Sequence, residues 1–371
     1  MIKIIHLITS INLGGAEIVA FNLANQNSKK FEYIIVELFK SNNSFAESKR
    51  KELNIRFYTL FKRSKRISLI ISPFKLFYLI IKEKPKIIHS HTDLPDFVLA
   101  ITLRLIKFFN LPHPKIVRTI HNTELWASHN RIGKFVESSL NNDYIVAVSE
   151  ASSIAYVRLR TKYNLPISKN IQVIYNGCKT PKHLSLGIKL ESNKLNIAFC
   201  GRFEYQKGID ILIEKISYIN LKYQNKINFY FIGEGSYKKQ IDDLANAYDN
   251  IKVSPPIIGI SNKLHAFDYL IMPSRFEGLG LISVESSLAK TPVIATKIQG
   301  LSETLPVEWP LYFSLNNESS LLNIFDKIVN IREYELNQIK EDAYLFTSSR
   351  FSFEKFLNSY YDIYSTFTGK K

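Results

Sequence analysis

Short, nearly unbroken apolar runs alternate along this chain with longer segments that are apolar on one side only. In the first half the runs are KIIHLI (Lys3–Ile8), YIIVELF (Tyr33–Phe39), IRFYTL (Ile55–Leu60), KIIHSH (Lys86–His91), KIVRTI (Lys115–Ile120) and DYIVAV (Asp143–Val148). Rich in Ile and Val and without strict alternation, they are expected to be strands buried on both faces of a parallel sheet. Helix-length segments separate them, such as Ala16–Asn25, Ile67–Lys82 and Asp96–Phe109. A second series follows with LNIAFC, INFYFIG, DYLIMP, TPVIAT and PLYFS. The fold class expected from this order is α/β, as two Rossmann-like β/α/β domains facing across a cleft, with ligands at the carboxyl ends of the strands. We place the N-terminal domain at 1–178, a polar linker at 179–194 and the C-terminal domain at 195–350. The tail 351–371 carries aromatics at helical spacing and is expected to cross back to the first domain as a helix.

Composition agrees with that organisation. At 371 residues the chain is too long for one ordinary core, and 46% hydrophobic with 22% charged residues is the balance of a folded protein. The two cysteines, Cys178 and Cys200, have no metal-ligand spacing and are expected to be reduced core residues of a cytoplasmic protein. The start, MIKIIHLITSINLGG, has the pattern of a buried first strand rather than a signal peptide. No uncharged apolar stretch is long enough to span a bilayer.

Charge changes the picture once it is divided. Residues 1–178 hold 26 basic and 12 acidic side chains, a net of +14 out of the total +16 (26 − 12 = 14). That half is expected to meet something anionic.

Chemistry-bearing residues cluster just after strands. In INLGGAE, Gly14 and Gly15 form a tight turn from which a helix aims its first N–H groups outward, a disposition suited to an anion. CGRFEYQKG places Arg202 and Lys207 five positions apart between Gly201 and Gly208, two cations able to neutralise a diphosphate. FIGEGS is a third glycine turn. PSRFEGLGLISVES brackets an apolar run with Glu277 and Glu285, eight positions apart, and puts Gly278, Leu279 and Gly280 where backbone N–H groups are presented. Carboxylates accept from sugar hydroxyls and the amides donate to them, so this stretch suits a polyol.

The same stretch resembles the Glu-x7-Glu signature of retaining glycosyltransferases of the GT-B fold, family 4. GGAE, IIHSHT, RTIHN, AVSEA, VIYNG, GRFEYQKG and FIGEGS follow the order of that family along most of the chain. The resemblance implies that Arg202 and Lys207 hold the donor's diphosphate and that Glu285 holds its ribose. It implies that Glu277, with the amides of Gly278, Leu279 and Gly280, meets the transferred sugar. Gly15 would line the phosphate and acceptor side, and His121 would reach the donor sugar near the reacting centre. His91 matches loosely, and a histidine at a strand end is more often structural. Ser254–Phe267, with Pro255 and Pro256, departs from the family's base-recognition segment and leaves the nucleotide open.

The activity so implied is retaining transfer of a hexosyl group from a nucleotide sugar, a UDP-sugar favoured, to a saccharide acceptor, which the basic half of the chain and its expected membrane attachment make a lipid-linked one. Its setting would be assembly of bacterial surface polysaccharide or lipopolysaccharide. No cofactor and no metal are expected, since Asp242 and Asp243 have the look of a solvated helix surface. In Lys62–Lys86 the residues Ile67, Ile70, Phe74, Phe77 and Ile81 recur every three or four positions, and we expect this face to pack on the sheet. Lys62, Arg63, Lys65 and Arg66 beside it are expected to touch anionic lipid, placing the protein peripherally on the inner face of the plasma membrane. Two other classes compete. A nucleotide-sugar epimerase would need no acceptor, and a basic nucleic-acid-binding protein would need a recognition motif that the chain lacks, so no nucleic-acid partner is expected.

Overall fold

The computed structural model describes residues 1–26, 28–62, 65–127, 129–140, 143–187, 190–223 and 226–368, without the side chains of 65, 66 and 318. The chain divides into two compact units, Met1–Asn176 with Glu354–Lys371, and Gly177–Phe353.

The first unit is built on β1 (Ile2–Ile8), β2 (Phe31–Phe39), β3 (Arg56–Phe61), β4 (Ile87–His91), β5 (Lys115–Ile120), β6 (Tyr144–Ala147) and β7 (Ile171–Val173). They pair in parallel in the order β3-β2-β1-β4-β5-β6-β7. Helices α1 (Gly15–Ala24), α2 (Ser44–Glu52), α3 (Lys65–Glu83), α4 (Asp93–Phe108), α5 (Asn130–Ser139) and α6 (Glu150–Lys162) make the connections. The inner strands β1, β2, β4 and β5 are buried almost end to end, as strands covered on both faces of a parallel sheet are, whereas the edge strands β3 and β7 are mostly half-buried. α4 starts earlier than its hydrophobic period suggests, because Pro95 sits in the first turn, where a missing N–H costs nothing.

A buried ionic knot anchors β5. Arg118 donates to Asp96 of α4 and Glu137 of α5, each at 2.7 Å from Nη2, and Arg160 of α6 also reaches Glu137. Every charge in the knot has an opposite partner, without which burial would cost several kcal/mol per ion.

The second unit carries β8 (Leu195–Cys200), β9 (Ile227–Ile232), β10 (Ile251–Ser254), β11 (Tyr269–Met272), β12 (Val293–Thr296) and β13 (Tyr312–Phe313). Their order, β10-β9-β8-β11-β12-β13, is again parallel throughout. Its helices are α7 (Ile209–Lys222), α8 (Lys238–Ala247), α9 (Leu281–Leu288), α10 (Glu318–Asn330) and α11 (Glu333–Arg350). Both sheets are therefore Rossmann-like, and each has a switch point where successive connections leave in opposite directions. It lies between β1 and β4 in the first unit and between β8 and β11 in the second, and ligands of such sheets bind beyond the strand ends at that point.

Two segments sit differently from a simple division at the middle of the chain. The stretch after Cys178 lies along the second unit: Lys182 and Leu184 donate through their amides to Asn262, and Leu186 is buried in that unit's core. The last helix, α12 (Phe353–Thr366), covers the sheet of the first unit. Its Tyr364 hydroxyl lies 2.7 Å from His89 Nδ1 and its Tyr360 hydroxyl 3.0 Å from Thr119.

α3 reverses the expected face. Ile67, Ile70, Phe74 and Ile81 are exposed, and of the five residues expected to pack only Phe77 is partly covered, beside Phe109. The buried face is instead Ser68, Ser72, Leu76, Leu79 and Ile80. Small side chains there let the backbone approach α4, where Thr102 donates to the Pro73 carbonyl at 3.1 Å, and the bulky residues are left outside. No helix among the described residues is long and apolar enough to cross a membrane.

Candidate functional site

At the switch point of the second unit, the segment after β8 and the segment after β11 are clasped together. Arg275 is the hub. Its guanidinium makes a bidentate pair with Asp210 at 2.6 and 2.7 Å, lies 3.8 Å over the Tyr205 ring and donates to the Tyr205 carbonyl. The Arg275 amide donates to the Gln206 carbonyl, while the Gln206 side chain donates to the Phe276 carbonyl at 3.2 Å. Gly208 allows the close approach. Its φ is +65°, and a Cβ there would lie 1.9 Å from the Pro273 carbonyl oxygen. No side chain could be accommodated at that point.

The clasp fixes the residues expected to bind a donor. Lys207, in the turn that precedes α7, donates to Glu277 Oε1 at 2.6 Å, and the Ser274 hydroxyl donates to the same oxygen at 2.8 Å. Glu277 is buried, so it is held as a fixed carboxylate with Lys207 beside it. Arg202 is exposed and donates to Gln206 at 2.8 Å. Gly278, Leu279 and Gly280 lead from Glu277 into α9, whose N terminus no side chain caps. Gly280 takes φ +83° to turn the chain into that helix.

Glu285 lies within α9, half-buried, and its carboxyl has no hydrogen-bond partner among the described residues. Burial pushes its carboxyl up to about 7. Cys178 and Cys200 are near enough to feel its charge, and both thiols are pushed up, first by burial and then by Glu285. Both cysteines are free thiols. An acid raised in this way is desolvated without a partner, as expected of a group that waits for one.

In the first unit, Gly15 opens α1, and a Cβ there would meet no atom within 4 Å, so packing alone does not demand glycine. His121 follows β5 directly and is half-buried. Its Nε2 lies 3.1 Å from Nδ1 of His91, and His91 Nε2 lies 3.0 Å from Nδ1 of His6. His6 and His89 are register partners on β1 and β4, so this unit's switch point is lined with imidazoles. Burial lowers the pKa of His6 and of His121 to about 3, and His89 and His91 also fall well below the usual range, so all four rings are neutral.

Of the residues assigned to lipid contact, Lys62 is exposed, Lys65 and Arg66 open α3, and Arg63 lies outside the described residues. Arg275, Asp210 and Gln206 had no signal in the sequence beyond a polar residue near a motif. His6 and His89 did leave one: each directly follows a pair of isoleucines inside a strand, where an apolar residue would be expected.

Residues 13–181 match the family model described as Glycosyltransferase Family 4, and residues 194–322 the one described as Glycosyl transferases group 1. An uncharacterised glycosyltransferase of Methanocaldococcus jannaschii is 28% identical, over 92% of both chains. The capsular polysaccharide biosynthesis glycosyltransferase CapH of Staphylococcus aureus is 24% identical, over 82% of this chain and 83% of its own. Among solved structures, Anabaena HepE in complex with UDP and glucose superposes with a TM-score of 0.79 at 18% identity, covering 99% of this chain and all of the other.

Proposed function

This chain is a glycosyltransferase of the GT-B fold, and we propose that it moves a hexosyl group from a UDP-sugar to a lipid-linked saccharide with retention of anomeric configuration. The observation that carries the reading is the clasp in the second unit, which ties the Arg202–Lys207 segment after one strand to Glu277 after the adjoining strand, with Glu285 in the helix that follows. Glu285 accepts from the ribose hydroxyls. Arg202 and Lys207 face the diphosphate, and Glu277 with the amides of Gly278 to Gly280 orients the sugar. As the bond from the anomeric carbon to the phosphate oxygen breaks, its electron pair passes to the diphosphate, where the two cations stabilise the charge. The acceptor hydroxyl attacks from the same face and gives its proton to the leaving phosphate oxygen, which accounts for retention. This route needs no metal.

Two relatives support the substrate classes. CapH belongs to capsular polysaccharide biosynthesis, and HepE binds UDP and glucose. We place this enzyme in surface polysaccharide assembly, working peripherally at the inner face of the plasma membrane. The basic first half of the chain and the exposed apolar face of α3 favour that placement. The test is transfer from UDP-, GDP- and ADP-sugars to a lipid-linked acceptor, with and without EDTA. UDP release that requires acceptor and survives EDTA is expected. Arg202→Ala and Lys207→Ala should each lower turnover about a hundredfold or more, the scale of one lost charge-stabilising donor. Full activity in both variants would place the diphosphate elsewhere, and isomerised donor without transfer would make the enzyme an epimerase.

A further inference from the structure

The chain of imidazoles in the first unit is more than a way of filling the switch point. His121 meets His91 and His91 meets His6 in one line, each through a single ring nitrogen contact. His89 stands aside from this line. Its two nitrogens are taken by the Tyr364 and Thr119 hydroxyls, both at 2.7 Å. Among the described residues His91 has no hydroxyl partner and both of its nitrogens face other histidines, so its tautomer is tied to theirs.

A neutral imidazole carries one N–H and one bare nitrogen, so the line can run in only two directions. In the first, His6 Nδ1–H donates to His91 Nε2, His91 Nδ1–H donates to His121 Nε2, and the proton of His121 is on Nδ1. In the second every proton moves to the other nitrogen, and His6 carries N–H on Nε2. His6 Nε2 is buried and has no partner among the described residues. An orphaned buried N–H is the rarer and more costly fault, because the donor has given up water for nothing. The first direction avoids it.

We propose that His6 and His91 are positioning residues that fix His121 as the tautomer with hydrogen on Nδ1, so that His121 presents a donor and never a base. This rests on the reading that His121 faces the donor sugar, and it adds what His121 does there: it gives a hydrogen bond to a sugar oxygen. His121 Nδ1 has no partner among the described residues, as that role requires. Neutrality follows from burial, which holds His6 and His121 at about 3.

His6, His89 and His91 are also close enough, with ring nitrogens within 4.8 Å of one another, to be weighed as a metal site. Apart from His6 Nε2, their nitrogens are engaged with one another, with His121 or with hydroxyls, and a metal ion held by all three rings would have to break contacts of His89 and His91.

The test is long-range proton–nitrogen NMR on the full chain labelled in its histidine rings, with His121 assigned from the signals lost in His121→Asn. The wild type should show His121 protonated at Nδ1 and bare at Nε2. His6→Phe keeps a ring but removes the donor, whereas His6→Asn returns an amide N–H to the place of Nδ1. His6→Phe should mix the His121 tautomers and lower turnover about tenfold, the scale of one hydrogen bond, with nucleotide affinity unchanged. His6→Asn should restore both readouts. A wild-type His121 protonated at Nε2, which needs no variant to observe, would overturn the relay. So would a His121 signal unchanged in His6→Phe, or zinc bound one to one in the isolated chain and lost in that variant. A shifted tautomer with normal turnover would uphold the relay and sink the placement of His121 at the sugar.

Discussion

Two glutamates eight positions apart have opposite surroundings, and their behaviour should differ accordingly. Glu277 is fixed by hydrogen bonds from Lys207 and Ser274, whereas the Glu285 carboxyl has no partner among the described residues and is raised to about 7. Only the Glu285 carboxylate can accept from two ribose hydroxyls through both oxygens, so nucleoside diphosphate affinity should rise as pH passes upward through about 7. The stability of the free chain should run the other way. A carboxyl whose pKa is higher folded than unfolded holds its proton better when folded. Its contribution is complete below the ordinary carboxyl value of 4.5 and is lost as pH climbs through about 7. Glu285→Gln should therefore flatten both profiles, bind nucleotide more weakly, and melt progressively above the wild type as pH is raised. Glu277→Gln should lose turnover by about a hundredfold with little loss of nucleotide affinity, because the sugar is misplaced while Lys207 keeps its charge. Calorimetric titration and thermal melts between pH 5 and 9 measure these effects, and a pH-independent wild-type affinity would remove Glu285 from the ribose.

Among the elements, α3 has the clearest consequence. Ile70 at 71% exposure, Phe74 at 57% and Tyr78 at 67% form an apolar face, and Phe108 and Phe109 are exposed at the end of α4 beside it. Burying such side chains in the lipid boundary gains about 1.5–3 kcal/mol each, and nearby lysines add about 1 kcal/mol each on an anionic surface. Ile70→Ser with Phe74→Ser should weaken binding to anionic vesicles at least tenfold and leave hydrolysis of a soluble donor unchanged, with Lys62→Ala adding a smaller loss that salt removes. Equal co-sedimentation of variant and wild type would leave α3 without a membrane role. α3 also shows where the sequence stops being legible. Its period is helical in two registers at once, and which face is buried depends on the small residues Ser68 and Ser72 meeting α4. Strands were legible because a strand buried on both faces is mostly apolar, β4 with its buried His89, Ser90 and His91 being the exception. The donor loops were legible because glycine, cation and acid fall close together in sequence. The clasp of Arg275 to Asp210 was not, since it joins residues 65 positions apart with no period to betray it.

For the whole molecule, the same sheet order is built twice, but from chain segments of different kinds. The second unit is one uninterrupted stretch, Gly177–Phe353, and it contains Arg202, Lys207, Glu277 and Glu285. The first unit is discontinuous and needs the end of the chain, because Phe356, Tyr360, Ile363 and Tyr364 of α12 are buried in it. Removing one buried aromatic typically costs about 3–5 kcal/mol, and three together approach the whole stability of a domain, about 5–15 kcal/mol. Tyr360 and Tyr364 also supply the hydroxyls that satisfy Thr119 and His89, so their loss leaves buried polar groups open. A chain stopped after Phe353 should therefore lose the fold of its first unit while the second survives. The fragment 177–353 alone should melt cooperatively and bind nucleoside diphosphate with affinity within about tenfold of the full chain, since it holds every residue assigned to the nucleotide. It should transfer no sugar, because His121 and Gly15 belong to the other unit. Circular dichroism, thermal melts and calorimetric titration of the two truncated proteins decide the matter. A chain ending at 353 that melts like the full protein would mean that α12 is dispensable to the first sheet. A folded 177–353 without nucleotide affinity would mean that the donor site is not contained in the second unit.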